Sequence, residues 1–171
     1  MTTEKLLQAS KDQLNLVLGF FPRAEAKSSV LLAIETGMLA VLGTNAPPLK
    51  GFSPLMLTVT GIALALLAAS IVTLYRGAFP RLKGGHESLV YFREIATRTE
   101  HRFVEEFKAQ SEERLATELL GQVWRNSEIL RTKFDCLKTA FVLMALAIPA
   151  WLAATLLFAA YNGQTRSIFL K

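Results

Sequence analysis

The side chains best suited to bind a ligand lie in two short segments that each contain an arginine. The tripeptide Phe-Pro-Arg occurs at residues 21–23 and again at residues 79–81, and each copy adjoins an apolar run. Proline makes the turn rigid, and the guanidinium group of Arg23 or Arg81 can hold an anionic phosphate. That phosphate can belong to a lipid head group, which would make the arginines topology anchors, or to a soluble ligand.

Aromatic and basic side chains occur together again after the second copy. Tyr91 and Phe92 stand directly before an arginine, and aromatic rings beside a cation can stack on a nucleobase. A place in the hydrophobic core is the alternative for Phe92. Lys133 supplies a further cation on a predicted long helix. The candidate ligand-binding residues are therefore Arg23, Arg81, Tyr91, Phe92 and Lys133.

No catalytic or metal-binding signature is present in the sequence. The patterns HExxH, GxSxG and GxGxxG and the phosphate-binding P-loop are all missing. His86 and His101 have no Cys or His partner at a metal-ligand spacing. The single cysteine, Cys136, excludes an internal disulfide and a cysteine-only zinc site. We therefore predict a protein that is not an enzyme, with no metal and no cofactor.

One acidic residue interrupts an otherwise uncharged apolar run. Residues 28–44 contain no charged side chain except Glu35, near the centre of the run. Because an acid at the centre of a bilayer costs up to about 3 kcal/mol, we expect Glu35 to face other protein or water. It can be a structural hydrogen-bond partner between helices, or it can act in the pore or the assembly of several copies.

Three apolar runs must position these residues, and they predict three membrane-spanning helices. Residues 54–74 and residues 139–161 carry no charge, and residues 28–44 form the shorter third run. A helix over residues 54–74 covers about 30 Å, the hydrocarbon thickness of a bilayer. The chain is 51% apolar with a mean hydropathy of +0.33. These values exclude an ordinary soluble enzyme with a large core.

The runs divide the chain into five segments. We expect a cytoplasmic amphipathic helix over residues 1–27, a transmembrane hairpin over 28–75, a cytoplasmic sensor domain over 76–138, a third transmembrane helix over 139–161 and a tail over 162–171. The predicted fold class is an all-α membrane protein, with three transmembrane helices and a helical cytoplasmic domain between the second and third spans.

Helix start signals refine this layout. Thr97 with Glu100 has the spacing of a capping box. Ser111, followed by Glu112, is a second start signal, from which apolar residues continue at helical spacing into the last run. One helix is therefore predicted from Glu112 to near Tyr161.

Positive charge predicts the orientation of the chain. Residues 1–27 hold four Lys or Arg and residues 76–138 hold twelve, against one in the hairpin turn and two in the tail. The positive-inside rule places the N-terminus and residues 76–138 in the cytoplasm of a multi-pass inner-membrane protein. Because acids are interleaved with the basic residues, this topology explains the net charge of +5, and we predict no nucleic acid polymer as a partner.

Several segments resemble the transmembrane effectors of the Pycsar antiphage systems. They are RAEAKSSVLLAIETGMLAVL, which leads through the first span, FPRL, LVYFREIA, and QVWRNSEILRTKFDCLKTAF, which enters the last span. The resemblance covers about residues 14–158. Glu25 stands where the family pattern has aspartate, which keeps the charge.

The resemblance implies an antiviral role in abortive infection. In that family a pyrimidine cyclase, activated by phage, releases cyclic UMP or cyclic CMP, and the effector responds by impairing the inner membrane. It therefore implies that this chain senses a cyclic pyrimidine nucleotide. We expect Arg23, Arg81 or Lys133 on the phosphate and Tyr91 or Phe92 near the base, with membrane lipid and further copies of the chain as partners. A constitutive membrane scaffold that recruits a protein partner is the alternative.

Overall fold

The computed structural model describes residues 1–79 and 87–169 and is all-α. It is 86% helical, and the described residues contain no strand. A short 3-10 turn, Leu49–Gly51, precedes the third helix. The helices are α1 (Thr3–Leu18), α2 (Phe21–Asn45), α3 (Pro54–Ala78), α4 (Phe92–Ile95), α5 (Glu100–Lys108) and α6 (Glu112–Phe169). The predicted helical fold class is confirmed.

Three helices are long and apolar enough to span a membrane, as the sequence predicted. They are α2, α3 and α6. α2 contains 25 residues, or roughly 37 Å of helix, so the helix is longer than the apolar run at its centre. Pro22 is the second residue of α2, where the missing backbone N–H costs no intrahelical bond.

The chain forms two compact units. We call residues 1–25 and 79–133 the polar unit, and residues 26–78 and 134–171 the span unit. Both α2 and α6 contribute residues to each unit.

The helix starts in the polar unit match one predicted signal and correct another. The Ser111 hydroxyl accepts a hydrogen bond from Arg114 N at 3.3 Å, and α6 then runs without interruption from Glu112 to Phe169. Both the start at Ser111 and the single long helix are confirmed, but the helix ends at Phe169 and not near Tyr161 as predicted. The capping box at Thr97 is wrong, because the N-cap of α5 is Thr99, whose side chain accepts from Arg102 N. The Thr97 hydroxyl instead donates to Glu94 O at 2.7 Å.

Side chains from α2, α3 and α6 fill the interior of the span unit. Leu67 of α3 and Phe158 of α6 are both fully buried. Phe52 meets Phe158 edge to face at a centroid distance of 5.6 Å. The two buried clusters consist of Leu31, Met38, Leu67, Leu74, Ala140, Met144 and Ala147, and of Leu42, Met56, Ala63, Ala154 and Phe158.

Polar contacts connect α6 to the hairpin formed by α2 and α3. Trp151 Nε1 donates to Met38 O at 2.9 Å, and Asn162 Nδ2 donates to Asn45 O at 3.1 Å. At Gly51 a Cβ atom would lie 2.5 Å from the phenol ring of Tyr161. Glycine therefore allows the turn to approach the end of the third span closely.

Candidate functional site

The polar unit contains a polar cavity of about 330 Å³. This volume is at the lower end of the range of about 300–1,000 Å³ that is typical of small-molecule sites. The lining side chains come from the segment before α5, from α5 itself, from the turn between α5 and α6, and from the start of α6. They are Glu87, Leu89, Arg98, Arg102, Glu106, Ala109, Gln110 and Arg114.

A single carboxylate holds two of the arginines in the cavity. Arg102 and Glu106 lie one helical turn apart on α5, and Arg102 Nε is 2.6 Å from Glu106 Oε1. Arg98 Nε is 2.8 Å from the other carboxylate oxygen, Oε2. These hydrogen bonds, first that of Arg102 and then that of Arg98, lower the pKa of Glu106. The carboxylate is therefore ionised and compensated at neutral pH.

Arg98 organises the segment before α5. Its side chain is only 8% exposed, and its Nη1 donates to Glu94 O at 2.6 Å and to Ser88 O at 3.2 Å. Its Nη2 donates to Glu87 O at 2.9 Å. Glu87 has φ 59°, a left-handed conformation uncommon for residues with a Cβ. Because Arg98 uses its donors on the protein, its role is structural.

Arg102 and Arg114 have donors available for a ligand. The side chain of Arg102 is 70% exposed, and its Nε alone bonds to a carboxylate. Within the described part of the chain, the guanidinium of Arg114 has no partner. Gln110 Nε2 donates to Glu118 Oε1 at 2.9 Å, whereas Gln110 Oε1 is buried and has no hydrogen bond among the described residues. The cavity thus offers cations for an anionic group and an acceptor for a donor.

The residues chosen from sequence lie outside this cavity where they are described. The Arg23 guanidinium carbon is 5.2 Å from the centroid of the Phe20 ring. Lys133 Nζ is 3.6 Å from Glu25 Oε1. Arg81 lies outside the described residues.

The two aromatic candidates lie against each other. The rings of Tyr91 and Phe92 meet edge to face at 5.1 Å. Tyr91 Oη is buried without a hydrogen bond among the described residues. Within the same part of the chain, no hydrogen bond, ion pair or ring contact joins Tyr91 or Phe92 to Arg23 or Lys133.

Sequence reasoning did not select the arginines that line the cavity. The spacing of Arg102 and Glu106, four residues apart on a predicted helix, indicates an ion pair. It does not indicate that Arg98 and Arg114 reach the same cavity, because that depends on the fold of residues 87–114.

Glu35 lies in a second polar cluster, inside the span unit. Its side chain is fully buried. The Ser70 hydroxyl makes a short hydrogen bond with Glu35 Oε1 and lies 2.8 Å from Ala140 O. Glu35 Oε2 has no partner among the described residues. One polar cluster therefore joins α2, α3 and α6.

The positions of the hydrogen atoms determine which hydrogen bonds this cluster can form. The Ser70 hydroxyl has one hydrogen and faces two oxygens, those of Glu35 and Ala140. If the Ser70 hydroxyl donates its hydrogen to the Ala140 carbonyl, the hydrogen bond between Glu35 and Ser70 needs a proton on the Glu35 carboxyl group. This arrangement leaves no ionised carboxylate buried without compensation.

The described residues contain no group of three or more His, Cys, Asp or Glu placed to hold a metal ion. His101 Nε2 is 3.6 Å from Glu105 Oε1 on the exposed face of α5. His86 lies outside the described residues.

Comparison with known proteins identifies a family for this chain. No curated protein and no solved structure is similar enough to match the chain. The family model of the Pycsar effector protein domain, PycTM, matches residues 9–160 and so covers most of the sequence. The resemblance seen in the sequence is therefore confirmed, and the chain belongs to the PycTM family of Pycsar effectors.

Proposed function

We propose that this Pycsar effector senses cyclic UMP or cyclic CMP and then impairs the integrity of the inner membrane, so that an infected cell dies before phage matures. The match to the PycTM family over residues 9–160 carries the proposal, because it links the chain to a pyrimidine cyclase system. Three apolar helices support action at a membrane. The polar cavity supports binding of a small anionic ligand.

The cavity has chemistry that suits a cyclic nucleotide. A cyclic phosphodiester carries one negative charge, which the guanidinium groups of Arg102 and Arg114 can share. Gln110 Oε1, a buried acceptor without a partner among the described residues, can receive a hydrogen bond from a base N–H. Ionised Glu106 keeps Arg102 oriented.

The residues selected from the sequence form a second proposed set of contacts. Arg23, Arg81 and Lys133 would hold the phosphate, with Tyr91 and Phe92 near the base. Binding between copies of the chain would allow these residues to act together.

Calorimetric titration tests nucleotide sensing. The full chain, solubilised in detergent, is titrated with cyclic UMP, cyclic CMP and cyclic AMP. We expect heat of binding with at least one pyrimidine and a weaker response to cyclic AMP. The absence of heat for both pyrimidines would overturn the proposal.

Paired substitutions then distinguish the two sets of contacts. Arg102→Ala with Arg114→Ala should weaken binding by about tenfold or more, since each removes a charge-assisted hydrogen bond. The double variant Arg23→Ala with Lys133→Ala is the matched comparison, because it removes two cations that lie outside the cavity. If only the second double variant lost nucleotide binding, the contacts chosen from sequence would be favoured. Normal nucleotide binding by Arg81→Ala would show that Arg81 is not part of the site.

Membrane damage requires a second arrangement of the spans that binds ligand more tightly than the resting one. A shift of the population from 1:99 to 99:1 requires about 5.5 kcal/mol of differential affinity, which several sites in an oligomer can supply. Gly61, Ala65 and Ala69 lie on the exposed face of α3 at intervals of four residues. Small residues at this spacing allow helices of neighbouring copies to approach closely.

Dye leakage from liposomes tests the membrane step. We expect leakage only when the cyclic nucleotide is present. Glu35→Gln keeps a hydrogen-bond partner for the Ser70 hydroxyl, whereas Glu35→Ala removes it. If Glu35 has only a structural role, Glu35→Gln should leak like the wild type and Glu35→Ala should leak without ligand. Altered leakage by Glu35→Gln would indicate that the carboxyl group acts in the pore.

A constitutive scaffold is the second candidate. Two large aromatic side chains of the polar unit, Phe92 and Trp124, are each 63% exposed, which suits binding of a protein partner. This function predicts no response to nucleotide and a stable protein that copurifies with the chain.

A further inference from the structure

An apolar groove of about 620 Å³ runs along the surface of the span unit. Val30 and Ile34 of α2 form one wall, and Phe141 of α6 forms the other. These three side chains are 61%, 48% and 59% exposed, whereas Met144, also in the lining, is buried. The groove therefore presents an open apolar channel above a packed core.

Both helices run in the same direction along the groove. The Ser70 hydroxyl bonds to Glu35 near the middle of α2 and to Ala140 of α6. Asn45, at the end of α2, accepts a hydrogen bond from Asn162, much further along α6. The N-terminal ends of the two walls therefore lie at the same end of the groove.

Two lysines add positive charge to this apolar surface. Lys27 is near the N-terminal end of the α2 wall, and Lys138 lies one turn after Phe134, the first α6 residue in the lining. Both lysines are exposed, and neither has a carboxylate partner in the described part of the chain. Side chains on a helix point toward its N-terminus, so both ammonium groups extend toward the same end of the groove. No acidic side chain lines the groove among the described residues.

We propose that this groove is a binding site for an anionic phospholipid. Its acyl chain would lie along Val30, Ile34 and Phe141, and Lys27 and Lys138 would bind its phosphate. A basic pocket between membrane helices has the charge that attracts anionic head groups, and long lysine side chains can reach from an apolar wall to the membrane surface. The site goes beyond nucleotide sensing and does not depend on it.

Native mass spectrometry of the delipidated full chain in detergent tests the site. Phosphatidylglycerol and phosphatidylcholine with identical acyl chains are added separately, and the lipid-bound fraction is measured. We expect stronger binding of phosphatidylglycerol. Lys27→Gln with Lys138→Gln should reduce that binding by about tenfold or more, whereas Lys50→Gln, in the hairpin turn, should leave it unchanged. Equal binding of the two lipids by the wild type would overturn the proposal.

Two further measurements separate the acyl chain from the head group. Val30→Trp fills the groove and should reduce phosphatidylglycerol binding, whereas Ile62→Trp, on an exposed face of α3, should not. Equal loss in both tryptophan variants would contradict the site. Glycerol phosphate, which has the phosphate but no acyl chain, should not compete. Competition by glycerol phosphate would show that the lysines bind free phosphate and would overturn the assignment to a lipid. Circular dichroism checks that each variant keeps its helix content.

Discussion

Arg98 and Arg102 bind the same carboxylate but differ in burial. Arg98 is 8% exposed and makes hydrogen bonds to three backbone carbonyls, whereas Arg102 is 70% exposed. The loss of Arg98 removes one hydrogen-bond donor from each of those carbonyls and from Glu106 Oε2. The loss of Arg102 removes one solvent-exposed ion pair, that with Glu106. The first residue should therefore affect stability, and the second should affect ligand binding.

We predict that Arg98→Ala destabilises the polar unit by about 3 kcal/mol, because three hydrogen bonds to backbone carbonyls are lost, each worth about 1 kcal/mol. Amide hydrogen exchange over residues 87–108 should accelerate by about 100-fold. Arg98→Lys should not restore protection, because one ammonium group cannot replace the planar guanidinium. Arg102→Ala should leave the exchange nearly unchanged, because its ion pair with Glu106 is exposed and screened by solvent. Equal exchange in Arg98→Ala and Arg102→Ala would contradict the structural role of Arg98.

Acid should weaken the polar unit through Glu106. Its pKa is lowered in the folded protein by Arg102 and Arg98, so its ionised form stabilises the fold above the ordinary value of about 4.3. This contribution is lost as the pH falls through the lowered pKa. We expect the thermal midpoint, followed by circular dichroism, to fall on acidification below about pH 4.

In Glu106→Gln the thermal midpoint should fall less on acidification than in the wild type, because the side chain no longer titrates. Glu105→Gln is the matched control, since the Glu105 side chain is 70% exposed and, among the described residues, its carboxylate is paired with His101 alone, at 3.6 Å. It should keep the wild-type pH dependence. The same pH dependence in Glu106→Gln and the wild type would exclude Glu106 as the source.

At the residue scale, the sequence predicted which side chains were unusual but not their partners. Glu35 was recognised as unusual because it is the one acidic residue in the apolar run over residues 28–44. Ser70 and Ala140 could not be identified, because a hydroxyl and a backbone carbonyl give no signal until three helices pack. The burial of Arg98 depends in the same way on the turn at Glu87.

Local signals predicted the elements better than they predicted the cavity. Ser111 marked the start of α6, and the uninterrupted apolar spacing after it predicted the long helix. Thr97 and Thr99 are two residues apart and both can cap a helix. The hydrogen bond from Arg102 N to the Thr99 hydroxyl settles the start of α5, whereas the Thr97 hydroxyl donates to Glu94 O in the preceding helix.

α6 contributes residues to both units, which makes its continuity testable. Ser127→Pro removes one backbone donor and should cost about 3 kcal/mol or more of helix stability. If the nucleotide signal passes along α6, this variant should still bind ligand through residues 87–114 and should lose ligand-dependent dye leakage.

Ser127→Ala is the control for this break. Ser127 is exposed, and its hydroxyl donates only to Val123 O of the same helix, at 2.7 Å. The alanine variant should leak like the wild type. Normal leakage by Ser127→Pro would show that the signal does not need an unbroken α6.

At the scale of the whole molecule, the charge distribution predicts one orientation. Cys136 is the only cysteine, so Cys136→Ala gives a background for single-site labelling. In intact spheroplasts, a membrane-impermeant maleimide should label Lys50→Cys in the hairpin turn. It should label Glu105→Cys on α5 only after the membrane is opened, because the positive-inside rule places residues 76–138 in the cytoplasm. The reverse pattern would contradict this orientation.

The tightly filled interior of the span unit has a consequence for the kinetics of the membrane damage that we propose. Leu67, Glu35 and Phe158 are fully buried in the span unit, so these side chains line no path for water through one chain in this arrangement. If the proposed membrane damage is a pore, we therefore expect its path to form where several chains meet. To test this, the logarithm of the initial rate of dye escape is plotted against the logarithm of the number of chains per liposome. We expect a slope above one, and a slope of one would show that single chains cause the leakage.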